Sequence, residues 1–265
     1  MKTNFIKLLV LITLISFSSC SSDSNSNTFG EATTYLPLSS TNNWTYDVVT
    51  QDVTSRDSLY VGNDTLISAI TYKKMKTLNL PNGFFSSSLR NNGLRVDGTS
   101  IKMTGAATFD FGLGTPISIS LSDFILLKQN GTVNEQLSLV SGTFSQTVSG
   151  YPLDFTYTLK SVSDLDLTTY TSPNGDAYTD VKKSKIILNL KITTTQTVGG
   201  FPITINILAP QDVVTSSQYY SKDIGMVYTN TNITYTLQDI PGVTLPIPQS
   251  GNQTQEEFLD TYLAN

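Results

Sequence analysis

The chain has 265 residues, with 16 Lys and Arg against 21 Asp and Glu, one Cys, one Trp and no His. Without histidine it builds no Ser-His-Asp triad, no Cys-His pair and no imidazole zinc site, which removes a wide class of hydrolytic and metal chemistry. The acidic balance and the shortness of its basic clusters, Lys73-Lys74-Met75-Lys76 and Lys182-Lys183-Ser184-Lys185, exclude a nucleic-acid binder, because a phosphate backbone demands grouped cations.

Residues 1–19 read as a signal peptide. Lys2 and Lys7 precede the apolar run Leu8-Leu9-Val10-Leu11-Ile12-Thr13-Leu14-Ile15, and Phe17-Ser18-Ser19-Cys20 has the form of a lipobox, with Phe17 where Leu, Val or Ile is usual. The run is well short of the ~20 apolar residues of a spanning helix, so cleavage before Cys20 and a palmitate-type lipid on that cysteine are expected. Residues 20–34, rich in Ser and Asn, read as the lipidated tether. Ser21, and not Asp, follows Cys20, and the resemblance of this segment to bacterial lipoproteins implies outer-membrane sorting, to either the periplasmic or the surface leaflet. Loss of Lys2 and Lys7 leaves 14 basic against 21 acidic side chains, a net charge near −7. With the sole cysteine committed to lipid, the roughly 230 residues that follow are held by their core alone.

Residues 35–250 are expected to form an antiparallel β domain. Trp44, Tyr46 and Val48 share one face of a first strand, Trp44 as a core anchor. Turn signals stand at Gly62-Asn63-Asp64, Pro81-Asn82-Gly83, Asn91-Asn92-Gly93 and Asn130-Gly131. Between and beyond them the apolar residues alternate: Ile117-Ile119-Leu121, Leu153-Phe155-Tyr157-Leu159, Ile186-Leu188-Leu190-Ile192, Ile203-Ile205-Ile207 and Ile233-Tyr235-Leu237. A period of two is the mark of strands with one buried and one wet face.

An internal echo pairs Gln146-Thr147-Val148-Ser149-Gly150-Tyr151-Pro152-Leu153 with Gln196-Thr197-Val198-Gly199-Gly200-Phe201-Pro202-Ile203. Both read as hairpins, with glycine supplying positive φ and proline opening the return strand. Tyr151 and Phe201 at the tips are candidate binding residues, set against ordinary cross-strand packing. Asp164 and Asp166 share a face of an extended segment, a weak signal for a carboxylate pair. Ser172–Asp180 is oxygen-rich but lacks the order of a calcium loop, so an Asn-Gly turn is expected and no metal or cofactor is implied. Residues 251–265 fit an amphipathic helix: Thr254 as cap, Glu257 completing a capping box, and Phe258, Leu259, Tyr262 and Leu263 as its apolar stripe.

Tyr35-Leu36-Pro37-Leu38-Ser39-Ser40-Thr41-Asn42-Asn43-Trp44-Thr45-Tyr46 resembles the Y-x-P-L-x-x-G-N-x-W-x-Y opening of outer-membrane lipoproteins of the Bacteroidota type, with Thr41 in place of the glycine. Tyr219-Tyr220-Ser221-Lys222-Asp223-Ile224-Gly225-Met226-Val227 is similar to the glycine-bearing element before their last strands, and Asp57–Ile67 to their second hairpin. The resemblance implies a strongly curved antiparallel sheet, half-barrel or sandwich-like, with a short C-terminal helix, and implies no activity. The expected function is non-enzymatic: a membrane-anchored envelope protein binding an apolar small molecule or acyl chain on its concave face, or another envelope protein. The alternatives are a carboxylate-dependent glycan hydrolase and an adhesion or scaffolding protein with an accessible sheet edge.

Overall fold

The computed structural model describes residues 35–51, 53–111, 116–148, 150–239 and 248–265. Cys20, with the leader and tether, lies outside them. The alternating segments become β1 (Asn43–Thr50), β2 (Thr54–Ile67), β3 (Ile70–Thr77), β4 (Gly93–Asp97), β5 (Ser100–Phe109), β6 (Ile117–Lys128), β7 (Gln136–Val148), β8 (Tyr151–Ser163), β9 (Leu167–Thr171), β10 (Ala177–Val198), β11 (Phe201–Ser221), β12 (Gly225–Thr236) and β13 (Ser250–Leu263). All pair antiparallel in one 13-stranded sheet, in the order β6-β5-β4-β3-β2-β1-β13-β12-β11-β10-β8-β7, with β9 on the early part of β10. The sheet curls into a nearly closed barrel. Its inward residues form one buried cluster that runs from Leu36 and Trp44 through Phe155 and Leu188 to Leu259.

The expected C-terminal helix is a strand. Residues Ser250–Leu263 insert between β1 and β12 and pair with both, Trp44 opposite Tyr262 and Tyr228 opposite Phe258. A helix there would strand two long backbone edges in the middle of the molecule, and ladder bonds on both sides outweigh a helix propensity difference of a few tenths of a kcal/mol per residue. The division at residue 250 therefore falls inside one sheet. A second correction concerns Gly62-Asn63-Asp64, which forms a bulge within β2, where the register shifts between Val61 and Asp64. The hairpin turn lies further on, at Ser68 and Ala69, both with positive φ (50° and 64°).

One short helix, α1 (Phe84–Leu89), fills the barrel. Phe85 and Leu89 are each 1% exposed, and the Phe85 ring meets Tyr46 and Tyr220 edge-on. The sheet supplies the missing N-terminal caps. Asp57 of β2 accepts the N–H groups of Asn82 and Gly83 (3.0 and 2.7 Å). Gln255 of β13 accepts that of Phe84 (2.6 Å), and Glu257 that of Phe85 (2.6 Å) together with the Ser86 hydroxyl (3.0 Å). With the Ser86 N–H also on the Glu257 carboxyl (3.4 Å), the four orphan donors of this buried helix end, Gly83 to Ser86, find acceptors.

The barrel closes without a ladder. The Ile125 N–H of β6 donates to Ser138 Oγ (2.8 Å), and Ser161 Oγ donates to the Ile125 carbonyl (2.6 Å), so side chains join the two ends of the sheet. Tyr35–Tyr46 and Tyr219–Val227 meet in the core. The Trp44 indole is fully buried and donates to the Ile224 carbonyl at 2.6 Å. Gly225 sits beneath it at φ +118°, where a Cβ would lie 2.8 Å from Nε1. Tyr46 donates to the Met226 carbonyl (3.2 Å).

Candidate functional site

The concave interior is occupied. Under α1 a cavity of only about 20 Å³ remains among Phe84, Met103, Phe109, Phe124, Leu159 and Ile186, room for about one water. A second, of about 30 Å³, lies among Phe111, Leu190, Ile192, Leu208 and Leu237. A far larger cavity, about 880 Å³, opens at the end of the barrel where the chain enters and leaves it.

This groove exists because two neighbouring strands part. β3 and β4 pair only at Lys73↔Leu94 and Lys74↔Gly93. Beyond that point β3 stays with β2 as far as Ile70 and β4 with β5 as far as Asp97. The facing pairs due next in the ladder, Tyr72 with Arg95 and then Thr71 with Val96, line a gap instead. Pro37–Ser40 forms the opposite wall together with Asp223, Ala264 and Asn265. That wall is clipped by Asn42, whose amide donates to the Pro37 carbonyl (3.1 Å) and whose Oδ1 accepts the Asn265 N–H (3.1 Å).

The surface is mainly apolar, contributed by Pro37, Leu38, Val96 and Ala264, with Leu94 and Tyr72 buried beneath it and a polar network behind. Tyr72, 3% exposed, donates to Asp123 Oδ1 at 2.7 Å and accepts from Thr104 Oγ1 at 3.2 Å. Arg95 holds both oxygens of Asp123 (2.9 and 2.6 Å) and also reaches Asp97 (3.1 Å), its guanidinium 5.7 Å from the Tyr72 ring centre. Asp123 adopts φ +49° in a bulge of β6, and its N–H donates to Thr104 Oγ1 (2.8 Å). Hydrogen bonds from Arg95 hold the Asp123 carboxyl down to about 2 and push the guanidinium further up. The bidentate pair stays charged at all ordinary pH values and is already satisfied within the protein, so it is a rigid wall and no proton shuttle. Lys73 is likewise bound to Asp64 (2.5 Å).

The sequence-derived candidates fall elsewhere. Tyr151 is half-buried against the edge of the core, whereas Phe201 is 75% exposed at the tip of its hairpin. Asp164 is held by Lys183 and Lys185 (3.2 and 3.0 Å) and Asp166 by Lys182, so this carboxylate pair is spent on ion pairs. Asp57 and Glu257 do converge, but at 3% and 0% exposure on the cap of α1, out of reach of a substrate. Burial pushes the Glu257 carboxyl up to about 7 against the pull of the Phe85 N–H and Ser86 hydroxyl, with the Asp57 charge adding to the rise. Ser172–Asp176 is a turn, Gly175 at φ +99° and its N–H on the Ser172 carbonyl (2.8 Å), and no cluster of three metal-ligating side chains occurs among the described residues. Pro37–Ser40 and Asp223 stand in the two segments quoted for the resemblance, which marked no groove, and Thr71–Lys73 and Leu94–Val96 carry no binding motif; on that wall the legible trace is the break in alternation between Leu121 and Phe124, which marks the bulge at Asp123. Comparison of the chain with protein-family models, curated proteins and solved structures finds no match in any of the three.

Proposed function

We propose that the chain is a non-enzymatic lipoprotein of the bacterial cell envelope, anchored to the outer membrane through lipid on Cys20, that binds an apolar or amphiphilic small molecule such as an acyl chain. The observation that carries this reading is the groove. Its volume of about 880 Å³ falls within the range of about 300 to 1,000 Å³ usual for small-molecule sites, and its mainly apolar lining suits a chain-like ligand. Pro37–Ser40 forms one wall, so a tether of residues 20–34 would leave the domain beside the groove and hold its mouth near the bilayer. A ligand leaving the membrane would then have a short path.

The test is native mass spectrometry of the full chain purified from membranes, before and after organic extraction, beside a Val96→Trp variant that fills the groove. The expected result is a non-covalent apolar adduct on the wild type, lost on extraction and at least about tenfold scarcer on the variant. A clean wild-type mass, or an adduct that Val96→Trp leaves untouched, overturns the assignment.

A further inference from the structure

β7 ends the sheet, and its outer edge carries no ladder partner among the described residues. The direction of its peptide groups follows from the hairpin. Val148 pairs with Tyr151 and Thr147 with Pro152; proline has no N–H to exchange, so the pairs that exchange hydrogen bonds are Val148/Tyr151, Gln146/Leu153, Phe144/Phe155 and Gly142/Tyr157. The N–H and C=O groups of Leu139, Ser141, Thr143, Ser145 and Thr147 therefore point outward, and all five residues are exposed.

Edges of this length are ordinarily blunted by charge, proline, a bulge or shortness. The other exposed edges carry such devices. β9 is five residues long, β6 is bent by the bulge at Asp123, and the far end of β11 carries Pro202. β7 has none beyond Ser138: its one register shift lies at its start, between Gln136 and Ser138, Gln136–Val148 contains no charged residue and no proline, and its outward side chains from Ser141 onward are Ser and Thr.

We infer that this edge pairs with the same edge of a second copy, antiparallel about a two-fold axis at Thr143. That register sets Thr143 against Thr143 of the partner subunit and each Ser141 against the other copy's Ser145, pairings that join hydroxyl-bearing residues with no like charges opposed. On the inner face each Phe144 falls opposite a Gly142. The ring, already stacked on Phe155 at 4.6 Å, thus meets no opposing side chain from that residue, whose inner face is covered by Tyr157 of its own copy. A two-fold strand pair uses one patch on both copies and closes after two, giving a dimer and no filament. The contact belongs to the small, weak class of interfaces, and confinement of both copies to one membrane would raise its occupancy.

Cysteine cross-linking of the full chain in membranes tests this. Across the two-fold axis the Cα atoms of residue 143 stand about 5.5 Å apart, within disulfide reach. Thr156, exposed and directly opposite Thr143 on β8, is three strand spacings, about 14 Å, from its counterpart and out of reach. Mild oxidation is expected to convert Thr143→Cys to a covalent homodimer, with Thr156→Cys and the wild type, which controls for Cys20, giving at least about tenfold less. Adding Ser141→Lys and Ser145→Lys to Thr143→Cys is expected to abolish the product while leaving the β8 ladder intact. The inference fails if Thr143→Cys dimerises no more than Thr156→Cys, if the lysines have no effect, or if residue 143 cross-links to a different protein or within its own chain.

Discussion

At the scale of the residue, Glu257 links the chemistry of the core to pH. Its carboxyl titrates near 7 in the fold against 4.5 for the ordinary side chain. Between those values the native state keeps a proton that the unfolded chain has released, so this group's contribution is fully present below pH 4.5 and is lost as pH rises to 7, a total of roughly 3 kcal/mol. Asp123 acts in the opposite sense, stabilising above its ordinary value of 3.8 and losing that contribution as pH falls toward 2. Urea unfolding of the wild type and of Glu257→Gln at pH 4.5 and pH 8 should show the wild type losing about 2 to 3 kcal/mol relative to the variant over that interval. A difference independent of pH would mean that Glu257 titrates as an ordinary carboxyl.

At the scale of the element, the long alternating runs were open to reading because each buries one face in a shared core. β13 was not, for a reason its side chains make plain. Gln255 and Glu257 point inward with Leu259, and two polar residues on the buried face erase the alternation that would have marked a strand. They are inward because α1 needs acceptors at its N-terminus. α1 was itself hidden, since Phe84-Phe85-Ser86-Ser87-Ser88-Leu89 is too short to show a helical period. The groove was illegible for a related cause, because the parting of β3 from β4 is a matter of where two ladders stop. Trp44 and Gly225, by contrast, stood out as residue types with few alternatives, and they meet. Deleting residues 250–265 removes the cap of α1 and exposes facing edges of β1 and β12; the truncated chain is expected to lack a cooperative thermal transition by near-ultraviolet circular dichroism, and native-like melting would contradict the central place given to β13.

At the scale of the whole molecule, order should be graded along the barrel axis. β10 and β11 run past the end of the core: up to Ile192 on β10 and from Ile207 on β11 they bury Leu188, Leu190, Val213 and Val214, while toward the tip Phe201–Thr204 are all exposed. Amide hydrogen exchange should accordingly find the backbone of β10 near Leu188 protected by close to the global unfolding free energy and that near Phe201 exchanging by local opening, orders of magnitude faster. Uniform protection along both strands would imply cover over the tip. With the barrel filled, the binding and pairing proposed above fall on a groove at the end where the chain enters and on the edge of β7, and neither would require the core to unpack.

The position of β13 also sets a timetable. β13 follows the other twelve strands in chain order yet lies in the middle of the sheet, between the first strand and the twelfth, so the two halves cannot be joined through it until Ser250–Leu263 has emerged. On the lipoprotein reading, the chain reaches the far side of the membrane with its leading cysteine first, and acylation of Cys20 can be finished while the sheet is still in two parts. On the same reading, assembly of the barrel would wait for β13, which would keep the translocating polypeptide from locking into its final shape halfway through.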